Sequence, residues 1–142
     1  MLSGPHVVRA GEGDITGEPG LLDRYLIESA ASSGRVALME HVLAPKALAA
    51  PMHRHSREDE YTYVLAGTLG VIGEVAEPRR RWHTFWNAGD DELRVLEIIV
   101  SAGIEALFRR LAELVANTPR IHFPLWRPST APRWTSRQRC RW

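Results

Sequence analysis

The chain has 142 residues, enough for one domain with an extension and too few for two full domains. Hydrophobic residues make up 44% of it and charged residues 25%, so it can bury a core and is not disordered throughout. It has no long uncharged apolar run and no signal pattern at its amino terminus, so we expect a cytoplasmic protein without a membrane partner. The single cysteine, Cys140, excludes an intrachain disulfide and a thiolate-rich zinc site.

Short β-prone runs between turn residues fill the first hundred positions, which is typical of an antiparallel all-β sandwich or barrel. The predicted strands, in chain order, cover residues 24–29, 35–43, 61–66, 68–72, 83–86 and 93–100. The last of these is continuously apolar from Ile98 to Val100, which predicts a central strand covered on both faces.

One helix is predicted towards the end of the folded part. Apolar residues recur at intervals of three and four from Ile104 to Val115, with charged residues on the remaining arc. Ser101 or Gly103 is expected to start this helix and Asn117 to end it. We expect the apolar stripe of the helix to pack on the outside of the β-structure.

A basic tail follows the helix. Residues 118–142 hold six arginines and no acidic residue, whereas the rest of the chain carries 12 basic and 17 acidic residues. Prolines in the tail favour irregular structure. Arginine interleaved with tryptophan would suit single-stranded nucleic acid, but the same composition occurs in tails with no partner and this body is acidic, so we expect no nucleic-acid partner. The chain then divides into an N-terminal extension (1–19), a β-domain with its helix (20–117) and the tail.

Residues with metal-ligand chemistry are concentrated just before the third predicted strand. His53 and His55 are two residues apart, so on an extended segment their imidazoles point to the same side. Glu60 follows after a short turn, and His83 from a later strand would complete the set. Three neutral nitrogens and one carboxylate suit Fe, Mn, Ni, Cu or Zn and leave a position for water or substrate. Because paired histidines on a loop more often hold no metal, the spacing alone leaves both interpretations open.

Other side chains near these residues are candidates for a pocket. Tyr61, Tyr63 and Phe85 alternate along the neighbouring strands, so we expect them to contribute to a cavity lining, although aromatic residues are more often core. His41 lies in the middle of a predicted strand. It could face the cavity as an acid or base, but a hydrogen-bonded structural histidine is the commoner case.

The spacing of these residues resembles the two motifs of the cupins. His53-x-His55-x4-Glu60-x6-Gly67 is similar to the first motif at every fixed position. In the second motif, Pro78, His83 and Asn87 fall in place, and Arg80 stands where glycine is usual. The likeness covers roughly residues 20–116 and is strongest to small bacterial single-domain cupins of the quercetin-dioxygenase-like type.

The resemblance implies a small antiparallel jelly-roll β-barrel that holds a divalent transition metal on residues like His53, His55, Glu60 and His83. It also implies a homodimer. We expect a metal-binding cupin with a small-molecule pocket, dioxygenase-like if it is an enzyme, in which Glu60 acts as a base when displaced from the metal. A non-catalytic binding module with a degraded metal site is the alternative, because Arg80 replaces the usual glycine and the segment between the two motifs is short.

The segment between the two motifs departs from the family pattern. Only ten residues separate Gly67 from Pro78, too few for two full strands and a turn at about 3.3 Å of rise per residue. A missing strand predicts an altered register, an open sheet edge or a His83 that does not reach the interior.

Overall fold

The computed structural model describes residues 6–73, 76–101 and 103–117, so the predicted tail, 118–142, lies outside the described residues. Its strands are β1 (Asp14–Glu18), β2 (Leu21–Ile27), β3 (Val36–Leu43), β4 (Asp59–Ala66), β5 (Leu69–Ile72), β6 (Ala76–Glu77), β7 (Thr84–Asn87) and β8 (Leu93–Val100). A short 3-10 helix (Ser29–Ser32) precedes β3, and helix α1 (Glu105–Asn117) follows β8. The sequence patterns predicted every strand except β1 and β6.

The strands form two antiparallel sheets, which confirms the predicted all-β class. One sheet has six strands in the order β1-β2-β3-β8-β4-β6, and the other pairs β5 with β7. Isolated bridges between Leu48 and Trp86 and between His53 and His83 link the β7 region to the chain ahead of β4. Within the described residues, these pairings do not close the sheets into the continuous barrel that was expected.

Strand β8 is central in the larger sheet, as predicted, but only one of its faces is covered. Leu93, Val95 and Ile99 are fully buried on the inner face, whereas Ile98 and Val100 on the outer face are 38% and 37% exposed. The continuous apolar run therefore reflects an exposed apolar outer face rather than burial on both sides.

The inner face of the large sheet carries two apolar clusters. One consists of Tyr25, Ala37, Met39, Ile99 and Ile104, and the other of Leu43, Phe85, Leu93 and Val95. On β3, Met39 and Leu43 from the two clusters lie four residues apart with His41 between them, and on β8, Ile99 and Val95 do so with Glu97 between them. The interior is thus divided by a polar row.

Helix α1 starts after Gly103 and closes one end of the interior. Ile104 and Phe108 pack on the first apolar cluster, while Leu107 and Leu111 remain about half exposed. The expectation that the whole apolar stripe packs outside the β-structure is therefore wrong, because part of the helix faces the interior. None of the described helices is long and apolar enough to span a membrane.

The short segment between the two motifs still returns the chain to the interior. Strand β6 has only two residues, pairs with Glu60 and Tyr61, and forms one edge of the large sheet. The β5–β7 register is regular from Leu69–Asn87 to Ile72–Thr84. Of the three predicted consequences, the open edge is confirmed, the displacement of His83 is wrong because His83 is buried, and the altered register stays a prediction.

Candidate metal centre

The backbone brings the predicted ligands together from three parts of the chain. His53 and His55 lie on the segment before β4, Glu60 is the second residue of β4, and His83 immediately precedes β7. The His53 N–H donates to the His83 carbonyl at 3.0 Å, and the His83 N–H donates back at 2.9 Å. This two-way bridge holds the two histidines side by side.

One ligand atom from each of these residues converges on a common point. The set of His53, His55, Glu60 and His83, called here the His/Glu cluster, offers four ligand atoms within 4.8 Å of one another. His55 Nε2 lies 3.2 Å from Glu60 Oε1, and His83 Nε2 lies 3.2 Å from Glu60 Oε2. The predicted grouping is therefore present in the structure.

Hydrogen bonds to the backbone orient two of the imidazoles. His53 Nδ1 donates to the Pro51 carbonyl at 2.7 Å, and His83 Nδ1 donates to the Arg81 carbonyl at 3.1 Å. A proton held at Nδ1 leaves the lone pair at Nε2, and in His83 this nitrogen lies 3.2 Å from Glu60 Oε2. Both rings are thus presented in the tautomer that binds a metal.

Burial and mutual charge set the protonation of the cluster. Glu60 is 2% exposed and His83 is 1% exposed. Burial alone would raise the pKa of Glu60, but His55 and His83 lower it to about 2. Burial lowers the pKa of His53, whereas for His55 the nearby Glu60 carboxylate outweighs burial and raises the pKa. Glu60 is therefore a carboxylate at neutral pH.

The donor set fits a divalent transition metal. His55 Nε2 and Glu60 Oε1 are buried and, despite their 3.2 Å separation, make no hydrogen bond of good geometry among the described residues. Buried polar atoms that lack a well-aligned partner are costly, and coordination to a shared cation would satisfy both. Three imidazoles and one carboxylate are ligands that such metals accept.

Other motif residues have structural roles. The Asn87 side chain donates to the carbonyls of Leu43 and Asp91 at 3.0 and 2.7 Å, which fixes the β7–β8 turn. Arg80 occupies the usual glycine position with a φ of 71°, and its N–H donates to the His55 carbonyl at 2.7 Å. The turn that places His83 is therefore built with a strained arginine instead of glycine.

A cavity of about 440 Å³ opens from the His/Glu cluster towards helix α1. Its lining includes His53 and Glu60 of the cluster. It also includes Phe85, which was expected to line a pocket. Tyr61 and Tyr63 alternate with Glu60 on β4 and point outwards, where they are 45% and 63% exposed. The expectation that they line the pocket is wrong. Successive side chains of a strand point to opposite faces, so both tyrosines face outwards because Glu60 faces inwards.

The same cavity contains a second polar group that the sequence did not predict. His41 Nδ1 donates to Asp23 Oδ1 at 2.8 Å, and His41 Nε2 donates to Glu97 Oε2 at 2.8 Å. We call these residues the Asp23–His41–Glu97 triad; all three line the cavity. Burial alone would lower the pKa of His41, but Glu97 and Asp23 raise it to about 10, so the ring is an imidazolium at neutral pH.

The signal for the triad lies in the strand alternation. Asp23 stands between Leu21 and Tyr25, and Glu97 between Val95 and Ile99, each at an inward position of a period-2 pattern. A charged residue at such a position predicts a buried partner. His41 was correctly expected to be hydrogen-bonded.

The fold and the site together define an all-β protein with a candidate histidine and carboxylate metal centre inside its β-structure. Residues 39–99 match the family described as the cupin domain. The match and the structure together show that the chain has the cupin fold. No curated protein sequence matches it.

Solved structures of cupin-fold proteins resemble the chain. A predicted oxalate decarboxylase from Thermotoga maritima aligns with a TM-score of 0.59 and 18% identity over 66% of this chain and 97% of its own. The polyketide cyclase RemF from Streptomyces resistomycificus aligns with a TM-score of 0.53 and 26% identity over 67% and 78%. KdgF from Halomonas sp. aligns with a TM-score of 0.54 and 17% identity over 66% and 92%.

Proposed function

We propose that the chain is a metal-dependent cupin enzyme that acts on a small organic molecule by dioxygenase-like chemistry. The observation that carries the proposal is the convergence of four buried or half-buried ligand atoms within 4.8 Å at the end of a cavity. A cation there would lie at the junction of the ligand set and the space open to a substrate.

The ligands assigned to the metal are His53, His55, Glu60 and His83, and the identity of the metal is Fe, Mn, Ni, Cu or Zn. A bound divalent ion supplies a Lewis-acidic position for an oxygen of the substrate. The chain itself holds two of the imidazoles through the Pro51 and Arg81 carbonyls, and Phe85 and helix α1 line the cavity next to them. The low pKa of Glu60 favours a role as ligand, and its action as a base stays a prediction.

The non-catalytic binding module loses part of its support. That alternative depended on the short segment between the motifs and on Arg80, which together were expected to displace His83. In the structure His83 is buried and lies 3.2 Å from Glu60. The likeness to a polyketide cyclase at 26% identity is compatible with an enzyme that takes an organic substrate.

Oxygen uptake tests the proposal. The full chain, loaded in turn with Fe(II), Mn(II) and Ni(II), is mixed with 3-hydroxyflavone as a dioxygenase probe, and dissolved oxygen is followed with an electrode. We expect consumption with at least one metal that stops on chelation and in Glu60→Gln. Glu40→Gln is the matched control, because Glu40 is a buried carboxylate on the opposite face of the large sheet. Stoichiometric metal without oxygen uptake would favour the binding module.

We also propose that the chain forms a homodimer. The outer face of the large sheet exposes Tyr61, Tyr63, Leu65 and Ile98, an apolar area of the kind that subunit contacts cover. Light scattering coupled to gel filtration should give twice the chain mass, and Tyr63→Arg should shift it towards the monomer.

A further inference from the structure

We propose that the Asp23–His41–Glu97 triad is a specificity-determining site, which accepts the hydroxyl group of an uncharged ligand and rejects anionic ones. The inference rests on the proposed function in that both place the ligand in the same cavity. It adds the chemical class of the ligand and the residues that select it.

The triad is a hydrogen-bonded unit with excess negative charge. Both ring N–H groups of His41 are engaged with carboxylates at 2.8 Å, so the ring has no N–H left to offer a ligand. One imidazolium between two carboxylates leaves one net negative charge. Each carboxylate uses only one oxygen on His41, and its second oxygen can accept a further hydrogen bond.

Away from the proposed metal, the described lining of the cavity has no lysine or arginine that would attract an anion. Its carboxylates come from Glu18, Asp23, Glu60 and Glu97. The other lining side chains are mostly apolar, among them Leu21, Phe85, Phe108 and Leu111. A ligand with a carboxylate or phosphate would lose its hydration without gaining a cationic partner on the chain.

The triad lies beside the His/Glu cluster on the same inner surface. Glu60 pairs with Ile99, and Glu97 is two residues from Ile99 on β8, so the two glutamates are diagonal neighbours on adjacent strands. Such neighbours have Cα atoms about 7–8 Å apart. A small ligand can therefore reach both groups at once.

These features favour a neutral ligand with an apolar body and more than one oxygen function. A divalent metal on the His/Glu cluster would outweigh Glu60, so the cavity would be positive at that end and negative at the triad. A hydroxyl group satisfies the triad by donating a hydrogen bond, and a second oxygen can face the metal. A carboxylate meets the triad as a like charge, which weakens its binding in a desolvated site.

The test uses three probes with the same ring: benzyl alcohol, toluene and benzoate. Their binding to the full chain is measured by ligand-observed NMR, both as purified and after chelation. After chelation we expect benzyl alcohol to bind about tenfold more tightly than benzoate and more tightly than toluene, because the triad keeps its charge without a metal, whereas with metal bound benzoate can also coordinate the cation. Asp23→Asn should reduce the preference over benzoate to about threefold or less by removing one charge while retaining an acceptor for His41.

Two further variants keep the result interpretable. Glu97→Gln changes the other end of the triad and should have the same effect if Asp23→Asn does not fold. Glu40→Gln, a buried carboxylate next to His41 in sequence but on the outer face, should leave the ranking unchanged.

The proposal would be overturned by benzoate binding as tightly as benzyl alcohol after chelation, by an unchanged ranking in both triad variants, or by no detectable binding of benzyl alcohol. Failure of the metal-dependent function shows itself separately. In that case the chain would hold no metal or consume no oxygen, while the ranking of the three probes would still follow the triad.

Discussion

Two polar groups share one cavity and differ in how complete they are. In the Asp23–His41–Glu97 triad, both ring nitrogens of the histidine have a carboxylate at 2.8 Å. In the His/Glu cluster, three imidazoles face a single carboxylate, and His55 Nε2 has no well-aligned partner among the described residues. The first group is thus complete without a metal, whereas the second becomes complete with one.

The two groups also sit differently in the fold. The triad spans β2, β3 and β8 in the middle of the large sheet, between the two apolar clusters. The His/Glu cluster lies where the segment before β4 meets the start of β7. Loss of the triad should therefore affect stability, and loss of the cluster should affect metal binding.

The largest expected effect comes from removing the central residue of the triad. His41→Ala leaves two carboxylates buried without their cation and should lower the free energy of unfolding by about 3–5 kcal/mol. His55→Ala in the His/Glu cluster should cost far less in the metal-free protein. Urea denaturation of both variants after chelation measures the difference, and equal losses would refute the contrast between the two groups.

The pH dependence of the free energy of unfolding should show whether His41 is a buried imidazolium. The pKa of His41 is about 10 in the folded chain, whereas in the unfolded chain the ring loses its proton near the ordinary histidine pKa of 6.5. The contribution of this group is thus full below about pH 6.5 and is lost as the pH rises through about 10.

Between pH 7 and 9 this loss should amount to about 2–3 kcal/mol. Urea titrations across that range should show a shallower fall for His41→Gln than for the natural chain, whatever the starting stability of the variant. Parallel pH profiles would show that His41 is not a buried imidazolium.

Metal should stabilise the chain through the His/Glu cluster and not through the triad. At a free metal concentration tenfold above Kd, the free energy of unfolding should rise by about 1.4 kcal/mol. Thermal unfolding with added Mn(II) should show the shift in the natural chain and lose it in His55→Ala. An undiminished shift in His55→Ala would place the metal elsewhere.

The smallest effect concerns the turn before His83. Arg80 has a φ of 71°, so Arg80→Gly should stabilise the chain by about 1 kcal/mol without changing its metal content. Urea denaturation checks the gain. Destabilisation instead would show that the arginine side chain contributes more than its backbone conformation costs.

The sequence predicts the His/Glu cluster better than the triad for a physical reason. Two ligands, His53 and His55, are close in sequence, and their spacing on an extended segment places them together. Glu60 and His83 follow from the motif spacing. Asp23 and Glu97 meet His41 only through the register of three strands, which strand propensity does not set.

The errors in the strand predictions have a similar origin. Strand β1 carries Gly17 and the charged residues Asp14 and Glu18, which have little β-propensity, and its pairing with β2 holds it in the sheet. The outward direction of Tyr61 and Tyr63 follows from the inward direction of Glu60. Once Glu60 is assigned as a metal ligand, the alternation along β4 therefore predicts that both tyrosines point outwards.

The most direct test is the metal content of the natural chain and of His83→Ala, purified without chelator and measured by elemental analysis, with His6→Ala as a control for an exposed histidine. We predict about one metal ion per chain in the natural protein and in the control, and less than about a tenth of that in His83→Ala. Equal metal in all three proteins, or none in any, would contradict a metal centre at the His/Glu cluster.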